Sequence, residues 1–516
     1  MAESTPTSSP VTTQIVTTHS GDLQGVRVND QIELFRGIPY ARPPVGDLRW
    51  KPPQATKAWQ AVRDASEFSA SCIQPTNSSG YVWRRGEFSV SEDCLYLNVW
   101  TQGSRQSNPV MVWFHGGAHT SGQGHAAIFD GTRLAEKGVV VVTINYRLGA
   151  FGFLAHPWLS EESDHDSSGN YGLLDKIAAL NWVRDNIAQF GGDPGNVTIF
   201  GQSAGSQSVC SLMTSPLSRG LFHKAIGQSA ACVGPAPQRD MAGLERGGRL
   251  VDALQVTSLD ELRNVNPNEI LSATESSGWT AGSRIVIDGW VLPEPHIDTF
   301  RKGQQAQVPL MVGCLAHEGV NLFPVNETLT DTELDGYLDR TVGSVAKAVK
   351  AAYASGSEQS PGQIQHAIAT DLFMAFAMRR WAEYQVETGQ PTYLYFMDHI
   401  PPAFHLYMPE NPQLDLPGGP RQAAYHSGDL AFVFGNVGKV GVHWNDEDHA
   451  LSDLMVNYWT NFARYGDPNS TEATRLPVWQ AFDNEQFTTL RLNASPVSEH
   501  GIRRDRLDLL ALAQPR

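Results

Sequence analysis

An α/β fold, with a large mixed and mostly parallel central sheet flanked by helices, is predicted by three observations. Several β-branched runs lack polar alternation, as strands buried on both faces do. An apolar repeat of three to four residues lies between two of those runs, as a helix crossing back over a sheet requires. Strand and helix signals then alternate along the chain.

Taken in order, residues 109–114 (PVMVWF) read as a buried strand that stops at His115-Gly116-Gly117. Residues 139–144 (VVVVTI) read as a second strand. From 173 to 190, apolar residues at 173, 177, 180, 183, 187 and 190 predict an amphipathic helix. Residues 197–200 (VTIF) form the next strand, with a helix from about Ala204. Residues 240–300 read as helices and loops. Two more strands follow at 309–313 and 392–396. No linker interrupts the pattern, so residues 15–516 are expected to form one domain with helical insertions. Residues 1–14, rich in Ser and Thr, predict a flexible tail. They lack the basic start and apolar stretch of a signal peptide.

Charge narrows the function classes. There are 38 Lys plus Arg against 54 Asp plus Glu, a net of −16. That balance argues against a nucleic-acid partner, which needs clustered cations. No apolar run approaches the ~18 residues of a membrane span. The cysteines Cys72, Cys94, Cys210, Cys232 and Cys314 match no metal-ligand spacing, and no metal is expected. Each can be a small buried hydrophobe, and the odd number leaves at least one thiol unpaired.

Gly201-Gln202-Ser203-Ala204-Gly205 sits between a strand and a helix. A serine on so sharp a turn is lifted out of the sheet, and only glycine fits on either side. The helix N-terminus also directs N–H groups at developing negative charge. Ser203 is therefore the candidate nucleophile. The small residues His115-Gly116-Gly117-Ala118, at the end of an earlier strand, are suited to form an oxyanion loop. The N–H groups of Gly117, Ala118 and Ala204 are the expected donors.

Around this core the sequence resembles the type-B carboxylesterases, a family that includes carboxylesterases, cholinesterases and bacterial p-nitrobenzyl esterases. The residues that carry the resemblance are 190–205 (FGGDPGNVTIFGQSAG), 91–99 (SEDCLYLNV), 35–41 (FRGIPYA), 43–50, 145–149 (NYRLG) and 169–175. Trp459, Phe462-Ala463 and Gly466-Asp467-Pro468 extend it towards the C-terminus, so that it runs from about residue 12 to about 490. It implies the α/β-hydrolase fold and a serine esterase.

The resemblance places the acid of the triad at Glu318, in His317-Glu318-Gly319. It places the general base at His426, in His426-Ser427-Gly428-Asp429-Leu430. The order Ser203, Glu318, His426 is that of an α/β-hydrolase. It further implies a Cys72–Cys94 disulfide around a surface loop, ion pairs Arg49–Glu92 and Arg147–Asp175, and a supporting role for Ser229 behind the acid. The implied reaction passes through an acyl-enzyme and needs no cofactor. The expected partner is a small-molecule ester; the sequence leaves the oligomeric state open, with a monomer or dimer the expectation. The cysteine pair favours a secreted or periplasmic location, whereas the absent signal peptide favours the cytoplasm.

Three departures from the family pattern bear on substrate. Gln202 replaces the glutamate usual before the nucleophile, removing a negative charge. His119 stands where an aromatic is common. The 72–94 loop carries Trp83, Arg84 and Arg85, of which the two arginines also read as a solvated surface. His119 and Trp83 are the candidate substrate contacts. Together these changes disfavour a quaternary ammonium ester and suit a neutral or acidic one. Residues 152–175 are similar to bacterial esterases that include fumonisin-type tricarballylate ester hydrolases. Two other readings stand beside the esterase: a carbamate or amide hydrolase on the same triad, and a non-catalytic adhesion or scaffold member of the family.

Overall fold

A computed structural model describes residues 12–76, 82–84, 86, 88–103, 106–233, 240–280, 284–355, 360–408, 414, 416, 418–469 and 476–513. Most of the expected 1–14 tail, and Arg85, lie outside these residues. Thr13 is buried, its N–H bonded to Gly25 O at 3.1 Å, and Thr12 bridges to Val26.

The centre is an eleven-stranded sheet. Its middle strands are parallel, in the order Val140–Ile144, Asn108–Phe114, Gly192–Gln202, Lys224–Gln228, Leu310–Leu315, Thr392–Met397 and Thr488–Leu492. Antiparallel strands finish both edges: Tyr96–Thr101, Glu33–Pro39 and Val26–Arg27 on one side, Val497–His500 on the other. The parallel strands Asn108–Phe114, Val140–Ile144 and Leu310–Leu315 are buried almost throughout, as burial on both faces by helices requires. The edge strands alternate weakly and are not singled out by the sequence. Residues 240–300 are helices and loops, as expected. Among the described residues, no helix is long and apolar enough to cross a membrane.

The helix expected over 173–190 spans Tyr171–Asn186, and a tighter 3-10 turn, Ile187–Phe190, follows it. It is not amphipathic. Most of its sixteen residues are buried, including Asp175 and Lys176. Polar residues on its far face meet protein instead of water. Asp175 takes a bidentate Arg147 at 2.7 and 2.9 Å. Lys176 Nζ donates to Gly172 O and lies 3.0 Å over the Tyr146 ring, and burial pulls its pKa well down. The second implied ion pair is also formed: Arg49 is bidentate to Glu92 at 2.6 and 2.7 Å.

Two disulfides are present. Cys72–Cys94 is the implied one. Cys210–Cys232 was not anticipated, and it joins the middle of the helix after Ser203 to the segment after the neighbouring strand. Four of the five cysteines are thus crosslinked rather than simply buried. The remaining thiol is Cys314, whose pKa burial raises well above the usual value.

Candidate active site

The parallel strands end at one edge, where the site is built. Strand Gly192–Gln202 runs into Ser203, which sits at φ 58° and ψ −126°, and helix Ala204–Thr214 starts at the next residue. The flanking glycines are sterically required. A Cβ on Gly205 would lie 1.9 Å from Phe114 O, and one on Gly201 would lie 2.5 Å from the Gly205 carbonyl carbon. The turn is held by Ser203 N–H, which donates to Gln228 O at 2.8 Å.

Strand Asn108–Phe114 delivers the glycine loop beside this turn. Gly117 has φ 105°, and a Cβ there would lie 2.1 Å from Ser121 O. Its carbonyl is turned away into hydrogen bonds from Thr120 and Ser121 N–H, both 3.0 Å. The N–H groups of Gly117, Ala118 and Ala204 have no hydrogen-bond partner among the described residues. Unpaired donors facing a cleft are what an incoming oxyanion needs.

Glu318 follows strand Leu310–Leu315, and His426 lies on a loop over the cleft. Their side chains meet, His426 Nδ1 to Glu318 Oε2 at 2.5 Å, both buried. Glu318 Oε1 accepts the Leu315 N–H at 2.8 Å. Asn321, not singled out by sequence, brackets the histidine backbone: its amide contacts His426 N and O, both at 3.3 Å. The sequence-predicted Ser203, Glu318 and His426 therefore converge, with the three N–H donors beside them.

The cleft has a volume of about 320 Å³. Gly117, Ala118, Gln202, Ser203 and His426 line its floor, and Trp83, Leu322 and Tyr407 its walls. His426 is the only acidic or basic side chain among the described lining residues. Trp83 lines this cleft, with its ring edge-on to His426 at 5.8 Å and its Nε1 donating to Ser427 Oγ at 3.3 Å. Arg84 is exposed, in keeping with a solvated loop.

Two candidates sit elsewhere. His119 does not line the cleft. At φ 58° its ring turns behind the glycine loop, packs 5.0 Å from Phe153, and places Nε2 3.1 Å from Gln207 Oε1. Burial, with Lys176 and Arg284 nearby, drives its pKa well below 6.5 and keeps it neutral. Ser229 is fully buried, its hydroxyl has no hydrogen-bond partner among the described residues, and the Leu315 amide donates to the acid.

Behind the triad lies a group that sequence reasoning passed over. Asp429 is buried, accepts from Gln228 Nε2 at 2.7 Å, and is approached by Tyr395 OH at 3.3 Å. Burial pushes its pKa up to about 6, and the nearby Glu318 adds to the rise. Its place three residues after His426 was the available signal.

The carboxylesterase family model matches residues 12–510. The chain belongs to the carboxylesterase family. Within it, the chain is 35% identical over 489 residues to the fumonisin B1 esterase of Sphingopyxis macrogoltabida, covering 90% of this chain and 84% of that one. It is 35% identical over 512 residues to the para-nitrobenzyl esterase of Bacillus subtilis (strain 168), covering 95% and 97%. A solved PNB esterase superposes with a TM-score of 0.82 at 32% identity, over 96% of this chain and 99% of that one. A solved Geobacillus stearothermophilus carboxylesterase gives 0.81 at 33% identity, with the same coverage. This carboxylesterase chain is therefore a carboxylic ester hydrolase of the α/β-hydrolase fold.

Proposed function

We propose that the chain hydrolyses neutral carboxylic esters through Ser203, His426 and Glu318. The observation that carries this reading is the 2.5 Å His426–Glu318 contact at the edge of a cleft lined by Ser203, Gly117 and Ala118, with the unpaired N–H of Ala204 next to the serine in the chain. Ser203 Oγ adds to the ester carbonyl and its proton passes to His426 Nε2. The oxyanion is held by Gly117, Ala118 and Ala204. The carbon–oxygen bond to the alcohol breaks, and Nε2 returns the proton to the leaving oxygen. Water then adds to the acyl-serine with the same proton path, and the acid departs. Glu318 stays ionised, fixing the ring tautomer and stabilising the imidazolium.

A neutral substrate is favoured over an acidic one because the described lining of the cleft includes Trp83, Leu322 and Tyr407 and, among the described residues, no cation other than His426 when it is protonated. The relatives' names, a fumonisin B1 esterase and a para-nitrobenzyl esterase, support ester over amide or carbamate chemistry. The test is a p-nitrophenyl ester series from acetate to octanoate, beside a succinyl hemiester and matched anilides. Neutral esters are expected to turn over fastest, and Ser203→Ala to lose about 10⁵–10⁶-fold in kcat. A higher kcat/KM on the hemiester would overturn neutrality. Undiminished hydrolysis by Ser203→Ala would overturn the mechanism.

A further inference from the structure

The nitrogen that must accept the serine proton already has a partner. Gln202 Nε2 lies 3.2 Å from His426 Nε2, and both side chains are buried. Ser203 Oγ, by contrast, makes no hydrogen bond among the described residues. Glu318 holds the opposite ring nitrogen at 2.5 Å. An ionised carboxylate only accepts, so Nδ1 carries the proton and Nε2 of the neutral ring is an acceptor. The Gln202 amide is the donor that fills it.

Resting on the esterase reading above, we infer that Gln202 is a positioning residue that occupies the basic nitrogen of His426 between turnovers and holds the ring neutral. A hydrogen bond donated to the neutral form of a base stabilises that form over the charged one. After the ring takes the serine proton, Nε2 becomes a donor and faces the amide NH2. The carboxamide must then turn its oxygen to the ring or withdraw. Gly116 is what leaves it space: a Cβ there would sit 3.2 Å from Gln202 Oε1.

The other groups facing His426 act in the opposite sense or are neutral. Glu318, from the turn after strand Leu310–Leu315, favours the imidazolium. Asp429, on the histidine's own loop, does so once ionised. Trp83 and Ser427 carry no charge. Gln202 is thus the neighbour, among the described residues, whose donor group favours the neutral ring. A carboxylate of the same size at this position could only accept, and would reverse that preference. The amide also leaves the described lining of the cleft without a fixed charge that would draw a cationic alcohol group.

The test compares wild type, Gln202→Glu and Gln202→Ala. The kcat/KM pH profile is measured on p-nitrophenyl butyrate, and the ring titration of His426 by ¹⁵N NMR, assigned by its loss in His426→Ala. Gln202→Glu is expected to move the acid limb of the profile and the ring titration upward by about 1–3 pH units, the effect of an opposite charge in contact. Gln202→Ala, which admits water able to serve either protonation state, falls between. A residue that merely packs would change the melting temperature and leave both titrations in place. Esterase activity with coincident profiles and titrations in all three proteins overturns the inference. Absent turnover with a ring titration that still moves in the stated order overturns the esterase reading and sustains the role of Gln202.

Discussion

Gln228 joins the nucleophile turn to the histidine loop: its carbonyl accepts Ser203 N–H at 2.8 Å, and its side-chain Nε2 donates to Asp429 Oδ2 at 2.7 Å. Trp459 Nε1 reaches the other end of the same amide at 3.3 Å. The amide orientation is thereby fixed, and a buried carboxyl is held between two parts of the site.

That carboxyl gives a pH signature. Burial raises the Asp429 pKa to about 6, above the usual 3.8. Between these values the native state binds more protons than the unfolded state, so stability falls as pH rises through the window. The cost, fully present above about pH 6, is on the order of 3 kcal/mol at ~1.4 kcal/mol per pKa unit. Asp429→Asn is expected to flatten this part of the profile. Thermal unfolding at half-unit steps from pH 4 to 7 measures it, and equal slopes in both proteins would refute the assignment.

Glu318→Gln keeps the size of the acid and removes its charge. The amide can present its NH2 to the ring and favour the wrong tautomer, so kcat is expected to fall about 10⁴-fold. The Leu315 N–H bond to the side-chain oxygen survives the change. Stability should therefore move far less than activity. A loss in melting temperature that matches the loss in rate would point to collapse of the turn instead.

The parts of this site that were legible in the sequence are those set by local backbone demands. Gly201 and Gly205 are required by contacts with carbonyls next to them in the fold, and such positions admit one residue type. Glu318 and His426 were placed by short motifs shared with the family, the first just after a strand and the second before an aromatic-rich stretch. The cleft walls were less legible, because Leu322, Tyr407 and Trp83 meet only through the packing of loops far apart in the chain. His119 shows the same limit. Its position after the glycine loop was readable, yet its positive φ turns the ring away from the cleft. Cys210 and Cys232 lie outside any spacing rule, and only the parallel pairing of Gly192–Gln202 with Lys224–Gln228 brings them within reach.

The two disulfides separate stability from binding. Each spans 22 residues, and removing either is expected to cost about 3 kcal/mol in the loop-entropy account. Cys72–Cys94 closes the loop that holds Trp83 against the cleft. Replacing both of its cysteines by serine should raise KM more than it lowers kcat. The same change at Cys210 and Cys232 unties the nucleophile helix from the segment after the neighbouring strand and should lower kcat more. Calorimetry and steady-state kinetics on the two double variants check this, and the same KM effect in both would contradict it.

Gly117→Ala tests the oxyanion loop. At φ 105° an L-residue is strained, and its Cβ would be 2.1 Å from Ser121 O, a backbone atom that cannot swing aside. The loop must therefore shift, and it carries the Gly117 and Ala118 N–H groups with it. Losing one such donor lowers kcat about 10²–10³-fold, while a substrate whose carbonyl is not yet charged binds nearly as before. The expected result is a large fall in kcat with a small change in KM. Ala204 N–H, anchored in the helix after Ser203, remains in place and leaves residual turnover. Gly149→Ala is the control, since Gly149 also has positive φ but open space around its Cβ position, and it should cost stability without this loss of rate. Equal kcat in wild type and Gly117→Ala would remove the glycine loop from the catalytic account.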